Sequence, residues 1–179
     1  MTAILFAPHN DDETLFAFYT LLRRAPRVVV VLRSFKEESL GGPTWQEREA
    51  ETECAMRCAD VTWEQWEFSD LDPEWGTIVT KMGQAIAPHE IVIAPAFEEG
   101  GHDHHNAVAY IAKQLARHRE LFAYTTYVRG QGRSEHATEI VPTRDEAEWK
   151  RVALACYASQ IAYPPTAPWF GDDQREFVL

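Results

Sequence analysis

Short apolar runs alternate along this chain with longer stretches in which apolar residues recur at helical spacing. Apolar runs of about four to eight residues bounded by turn residues are typical of buried strands. They predict strands at Ala3–Ala7, Arg27–Leu32, Val61–Phe68, Ile91–Phe97, Phe122–Val128 and Glu139–Val141. The longer stretches predict helices at Glu13–Arg24, Thr44–Ala59, Trp75–Ala87, Asn106–Arg119 and Arg144–Ile161.

Most of these strands are separated by a single helix, and this alternation gives βαβ units with right-handed crossovers. The chain is therefore predicted to have an α/β fold with a mostly parallel sheet and helices on both faces. All 179 residues fit one domain, since domains usually contain about 100–200 residues. The tail from Tyr163 is rich in proline and then acidic, so we expect it to be partly mobile.

The formal net charge is −11, and Lys and Arg residues form no cluster. This composition disfavours binding to nucleic acid or to an anionic membrane. No apolar stretch approaches the roughly 18 residues of a membrane span, and residues 1–8 lack the basic start of a signal peptide. The three cysteines form no pair with the spacing of a secreted scaffold, which favours a reducing compartment. We therefore expect a cytoplasmic protein.

Charged residues crowd the turn that follows the first predicted strand. Between Ala7 and Glu13 the chain carries His9, Asp11 and Asp12. Ligands of open parallel sheets bind beyond the carboxyl ends of the strands, and unpaired carboxylates buried there would be costly unless a cation compensates them. Helix capping would explain one or two of the acidic residues, but it does not explain the histidine.

A second turn, Gly100–Asn106, follows the strand predicted at Ile91–Phe97 and holds three histidines, His102, His104 and His105. His102 and His105 are three positions apart, so in a helical first turn both side chains point the same way. A solvated, histidine-rich turn is the alternative interpretation.

Together the two turns offer imidazoles and a carboxylate, the ligand set of a catalytic zinc with an open position for water. The same set also serves non-haem iron, so Zn²⁺ and Fe²⁺ both remain candidates. Asp11, next to Asp12, is placed to take a proton from a water on the metal. His102 is placed to stabilise an oxyanion or to protonate a leaving amine.

The segment Pro8-His9-Asn10-Asp11-Asp12-Glu13 resembles the PHPDDE motif of the LmbE/PIG-L-like zinc deacetylases. Gly101-His102-Asp103-His104-His105 resembles their second motif, GHPDH. Two further matches are an R-x-x-E helix starting at Arg48 and a late K-x-x-A-L…S-Q helix, Lys150–Gln160. The resemblance extends over roughly residues 3–161.

The resemblance implies a Rossmann-like three-layer sandwich with Zn²⁺ held by His9, Asp12 and His105. It also implies that Asp11 is the general base and that His102 assists the tetrahedral intermediate or the leaving amine. Arg48 matches an arginine that helps to hold the substrate. The implied reaction is hydrolysis of the N-acetyl group of an amino sugar or a small sugar conjugate.

Two residues depart from the family motifs. Asn10 replaces a proline, which changes the stiffness of the loop more than its chemistry. His104 replaces an aspartate that orients its neighbours, and an alternative register would make His104 the metal ligand. The chain is also short for the family, which suggests an open site or one completed by another subunit of an oligomer.

Two other functions compete with deacetylation. A metal-binding module with weak catalysis would be consistent with His104 and the short chain. A nucleotide-using Rossmann enzyme fits poorly, because no G-x-G-x-x-G follows the first strand and carboxylates there would repel phosphates. Trp45 follows a Gly-rich loop near the predicted site, so it could stack on a sugar ring or anchor the start of its helix.

Overall fold

The computed structural model describes residues 2–126, 137–171 and 175–179, which build one seven-stranded sheet and its flanking helices. The predicted strands lie within a few residues of the observed ones, and one further strand, β7, was not predicted. Residues 127 and 128 of the predicted strand Phe122–Val128 fall outside the described residues. The strands are β1 Ala3–Ala7, β2 Arg27–Arg33, β3 Trp63–Ser69, β4 Ile91–Pro95, β5 Glu120–Tyr124, β6 Thr138–Ile140 and β7 Glu176–Val178.

The helices also follow the predicted spacing, with two additions and one break. The additions are two four-residue helices, Lys36–Ser39 and a 3-10 helix at Ala167–Phe170, and the break divides the predicted helix Arg144–Ile161 in two. The helices are α1 Asp12–Arg24, α2 Lys36–Ser39, α3 Trp45–Ala59, α4 Trp75–Ile86, α5 Asp103–Leu115, α6 Arg144–Leu154, α7 Ala158–Ala162 and a 3-10 helix at Ala167–Phe170. The single helix predicted from Arg144 to Ile161 is therefore wrong, because the chain turns at Ala155–Tyr157 and buries the Tyr157 ring.

The sheet has the strand order β3-β2-β1-β4-β5-β7-β6, and its first five strands are parallel. β7 pairs antiparallel with β5 and β6. The mostly parallel Rossmann-like sandwich expected from the sequence is confirmed. Since the strand order reverses between β1 and β4, the turns that follow these two strands lie side by side at the usual ligand position of such sheets.

Alternate residues of β1 belong to cores on opposite faces of the sheet. Leu5 and Ala7 pack with residues of α1, α3 and α6, whereas Ile4 and Phe6 pack with residues of α4 and α5. Every residue of β1 is buried, so burial on both faces fixes the strand and the direction of the turn that leaves it. No helix among the described residues is long and apolar enough to cross a membrane.

A buried ion pair joins the tail to helices α6 and α1. Lys150 of α6 donates to Glu176 of β7 at 2.7 Å and to the Leu15 carbonyl at 2.9 Å. Glu176 also accepts the Tyr19 backbone N–H at 3.1 Å. Burial raises the pKa of Glu176, while Lys150 opposes that rise. Within the tail predicted to be partly mobile, β7 thus has a defined set of partners.

Cys54 of α3 and Cys156, just after α6, form a disulfide across 102 positions of sequence. The cysteine spacing in the sequence did not indicate this pair. The two cysteines are far apart in sequence, and only the packing of α3 against α6 brings them together. Cys58 is the remaining free cysteine.

Replacing Cys156 with Ser should lower the free energy of unfolding by about 2–4 kcal/mol, because a cross-link across a long loop restricts the unfolded chain. The measurement is chemical denaturation of the oxidised wild type and the variant. Cys58→Ser is the matched control and should unfold near the wild-type midpoint. Equal midpoints for the wild type with and without reductant would contradict the presence of the bridge.

Candidate active site

The turn after β1 is shaped by backbone hydrogen bonds at the start of α1. Asp11 has a φ of 99°, and its carbonyl accepts the backbone N–H groups of Thr14 and Leu15 at 2.9 and 2.8 Å. Its own N–H donates to Glu13 at 3.2 Å. The Asn10 side chain donates to Thr52 and Gln65, so hydrogen bonds hold the loop at the position where the family motif has a proline.

The carboxylate of Asp12 is the centre of the cluster predicted to bind metal. Its Oδ2 atom lies 3.3 Å from His9 Nδ1 and 3.1 Å from His105 Nε2. It also accepts the His9 backbone N–H at 2.9 Å. Burial would raise the pKa of Asp12, but the imidazoles of His105 and His9 outweigh that effect and hold it well below its usual range. The carboxylate is therefore ionised in a fully buried position.

This cluster has the donor set and the geometry that a divalent cation requires. One ligand atom from each of His9, Asp12 and His105 lies within 4.8 Å of the others. Asp12 Oδ1 is buried and has no hydrogen-bond partner among the described residues, a costly arrangement that a cation would relieve. Burial lowers the pKa of His9 to about 4, so this imidazole is neutral, as a metal ligand must be. His9, Asp12 and His105 therefore fit a divalent cation.

Asp11 lies beside the cluster and is held by Arg48 of α3. Arg48 Nη2 donates to Asp11 Oδ2 at 3.1 Å and to the Asn10 carbonyl at 2.5 Å. Burial raises the pKa of Asp11 well above its usual range, although Arg48 opposes this. Asp11 Oδ1 is buried and has no hydrogen-bond partner among the described residues. A buried carboxyl with a raised pKa is suited to accepting a proton.

The second histidine turn begins α5 and faces the first turn. His102 caps α5 by accepting the His104 backbone N–H at 3.2 Å, and its ring centroid is 5.2 Å from that of His9. Burial lowers the pKa of His102. His105 rather than His104 lies against Asp12, whereas His104 Nδ1 lies 2.9 Å from His9 Nε2. The structure thus brings all the predicted site residues together.

Tyr157, which the sequence did not indicate, lies behind the site and contacts the start of α1. Tyr157 donates to Glu13 in a short hydrogen bond and also contacts the Thr14 hydroxyl. Burial raises the pKa of Glu13 to about 7. In the same region, Ser159 donates to Glu51 through its backbone and its hydroxyl, at 2.6 and 2.8 Å. Glu51 belongs to the R-x-x-E motif and Ser159 to the late K-x-x-A-L…S-Q motif. These two motifs therefore contact each other and connect α3 to α7.

A cleft of about 360 Å³ opens above these residues. His9, Asp11, Arg48 and His102 line it together with Lys36, Glu37, Leu40, Asp70, Tyr163, Pro165, Thr166 and Trp169. Trp45 does not line this cleft; its ring lies 4.1 Å from the Arg33 guanidinium and packs near Phe35. These contacts match the predicted role of Trp45 as an anchor for the start of α3, and they do not match the predicted stacking on a sugar ring. The tryptophan of the cleft is Trp169, from the tail.

A family model described as PIG-L, GlcNAc-PI de-N-acetylase, matches residues 4–116. The chain belongs to the PIG-L family. The matched segment runs from β1 to the end of α5 and contains both histidine turns and Arg48. Among curated proteins, none matches the sequence significantly.

Solved structures share the fold at low sequence identity. A triple mutant of a deacetylase from the teicoplanin biosynthetic pathway is 16% identical, with a TM-score of 0.80 over 95% of this chain and 88% of that chain. The zinc-inhibited form of a teicoplanin deacetylase is 15% identical, with a TM-score of 0.76 over 90% and 85%. A 4-carboxy-2-hydroxymuconate hydratase from Pseudomonas putida KT2440 is 14% identical, with a TM-score of 0.69 over 95% and 83%. Since deacetylases and a hydratase share this fold, the fold alone does not decide the reaction.

Proposed function

We propose that this PIG-L family protein is a zinc-dependent deacetylase that hydrolyses the N-acetyl group of an amino sugar or a small sugar conjugate. One observation carries the proposal: the buried cluster of His9, Asp12 and His105 borders a cleft through His9, and Asp11 and His102 line the same cleft. The family match and the deacetylases among the structural neighbours support deacetylation.

His9, Asp12 and His105 would hold the cation. Zn²⁺ suits two imidazoles and a carboxylate, while Fe²⁺ uses the same set, and the zinc-inhibited neighbour supports an interaction of this fold with zinc. When bound, the cation supplies Lewis acidity, which polarises the acetyl carbonyl and lowers the pKa of an attacking water.

Two side chains, those of Asp11 and His102, would carry out the proton transfers. Asp11 would accept the proton of the attacking water, and the Arg48 contact keeps its carboxylate turned toward the cleft. His102, whose ring centroid lies 5.2 Å from that of His9, would donate to the oxyanion or to the leaving amine. Collapse of the tetrahedral intermediate breaks the C–N bond and yields acetate and a free amine. Arg48 is therefore a positioning residue in this proposal and is also available to the substrate.

The cleft suggests a substrate with one apolar face and several hydroxyl groups. Trp169, Tyr163 and Leu40 supply apolar surface, and a sugar ring can stack on the aromatic side chains. Lys36, Glu37 and Asp70 supply polar groups on the α2 side. A cleft of about 360 Å³ is at the lower end of the range for small-molecule sites, which favours a monosaccharide unit of a larger conjugate.

Acetate release from a panel of N-acetylated amino sugars and their conjugates tests this function. With Zn²⁺ added, at least one N-acetylhexosamine compound should be hydrolysed, and chelator should abolish the activity because the cation polarises the carbonyl. N-propionyl analogues control for acyl size. Tight binding of ligand without hydrolysis across the panel would instead favour the alternative, a metal-binding module of the same fold.

The cytoplasmic location and an oligomeric state remain predictions. Disulfides are rare in the cytosol, so the Cys54–Cys156 bridge removes the cysteine argument for a reducing compartment. The acidic composition still supports a cytoplasmic location. Cell fractionation and size-exclusion chromatography test the two predictions.

A further inference from the structure

Three imidazoles, those of His9, His102 and His104, form a triangle beside the primary cluster, which is the group of His9, Asp12 and His105. Their ring centroids are 5.2 Å apart for His9 and His102, 5.1 Å for His9 and His104, and 4.9 Å for His102 and His104. One ligand nitrogen from each ring lies within 4.8 Å of the others. This group contains no carboxylate, and it shares only His9 with the primary cluster.

We propose that His9, His102 and His104 form a second, weaker zinc site, in which His9 bridges two ions. The two nitrogens of His9 face different groups: Nδ1 lies 3.3 Å from Asp12, and Nε2 lies 2.9 Å from His104 Nδ1. Each nitrogen can therefore serve a different ion. When both are ligands, the bridging imidazole releases its remaining ring proton to solvent.

The spacing of the three rings matches that of imidazoles around one tetrahedral ion. With Zn–N distances of about 2.1 Å, ligand nitrogens are about 3.4 Å apart and the ring centroids about 5 Å apart. The observed centroid distances are 4.9 to 5.2 Å, so a small movement of His104 away from His9 would open the position. His102 Nδ1 accepts the His104 backbone N–H, which makes Nε2 the ligand nitrogen of His102.

The chemistry of the group selects the kind of ion. Three imidazoles suit Zn²⁺, Cu²⁺ or Ni²⁺ and are poor ligands for Mg²⁺ or Ca²⁺, which prefer oxygen. His104 distinguishes this chain from the family motif, which has an aspartate there. The second site is more exposed than the primary cluster, since His102 is exposed and His104 is half-buried. It also shares His9 with the other cation. We therefore expect it to bind more weakly.

Occupation of the second site would remove His102 from proton transfer. This consequence rests on the proposed function, because it assigns His102 to the oxyanion or the leaving amine. Excess zinc should then inhibit deacetylation, and His104→Ala should make the enzyme resistant to that inhibition. The binding part of the inference does not depend on activity.

Zinc titration of the metal-free protein by isothermal calorimetry, together with elemental analysis after gel filtration, tests the site. We expect two ions per wild-type chain, the second at least about tenfold weaker, and one ion in His104→Ala. His118→Ala is the control, since His118 is exposed and lies beyond the C-terminal end of α5, whereas the site is at its N-terminal end. This variant should bind two ions. X-ray absorption should place the two ions about 6 Å apart, the span of a bridging imidazole.

The outcomes separate this inference from the proposed function. A single ion in both the wild type and His104→Ala would overturn the second site and leave the deacetylase proposal intact. Two ions in His104→Ala would show that the second ion binds elsewhere, and this result would also overturn the inference. Loss of the tighter ion in His104→Ala would mean that His104 belongs to the primary site, and both assignments would need to change.

Discussion

Replacing Asp11 with Asn should reduce kcat by about 10²- to 10⁴-fold, the usual contribution of a general base. The amide has nearly the same shape, and its oxygen can still accept a hydrogen bond from Arg48, as Asp11 Oδ2 does at 3.1 Å. It cannot accept a proton from water. Because Asp11 is not one of the three residues around the cation position, the variant should keep its metal.

The measurement is kcat of wild type and Asp11→Asn on the best substrate of the acetylated panel, with metal content determined on the same samples. Asp72→Asn is a matched control, since Asp72 is exposed in the loop between β3 and α4, and its kcat should be within about twofold of wild type. Full activity of Asp11→Asn with normal metal content would show that Asp11 is not the base.

Replacing His105 with Ala should weaken zinc binding at the primary position by more than about 100-fold and abolish deacetylation. Residues that only orient a metal ligand contribute about 10- to 100-fold to affinity, and His105 is itself a proposed ligand, 3.1 Å from Asp12. Its loss would leave one imidazole and one carboxylate, too few for a catalytic zinc site with three protein ligands.

The comparison is cleanest in the His104→Ala background, where only the primary position should bind zinc. We expect about one ion per chain in His104→Ala and none in the double variant after gel filtration. Far-ultraviolet circular dichroism should show that the double variant is folded. If it still bound one ion with unchanged affinity, the His9–Asp12–His105 assignment would be wrong.

The sequence indicated the candidate site well because each half of it is local in the chain. His9, Asp11 and Asp12 lie in one turn, and His102 and His105 in another. The alternation of strands and helices places both turns at the same edge of a parallel sheet. Distances and burial then follow from β1 and β4 being adjacent strands.

The residues that the sequence did not indicate act through partners far along the chain. Tyr157 reaches Glu13 over 144 positions, and Cys54 pairs with Cys156 over 102. No local pattern encodes such pairs, since they depend on how α3 and α6 pack against each other. Trp169 likewise reaches the cleft through long-range packing, since it lies against the core that contains residues of α1, α3 and α6.

The secondary structure was missed where the elements are shortest. β7 has three residues and α2 has four, and such lengths are too short for a periodic pattern to emerge. The break between α6 and α7 has no proline or glycine to mark it. Instead the burial of Tyr157 decides it, a tertiary contact that overrides local helix propensity.

The backbone conformation of Asp11 affects how an alanine scan of this loop would have to be interpreted. At a φ of 99° an alanine is strained, because its Cβ crowds the backbone, whereas glycine is tolerated. Asp11→Ala would therefore combine a folding defect with the loss of the carboxylate and would exaggerate its catalytic importance. Asp11→Gly would relax the strain and remove the same carboxylate, so the difference between the two variants would measure the conformational cost alone.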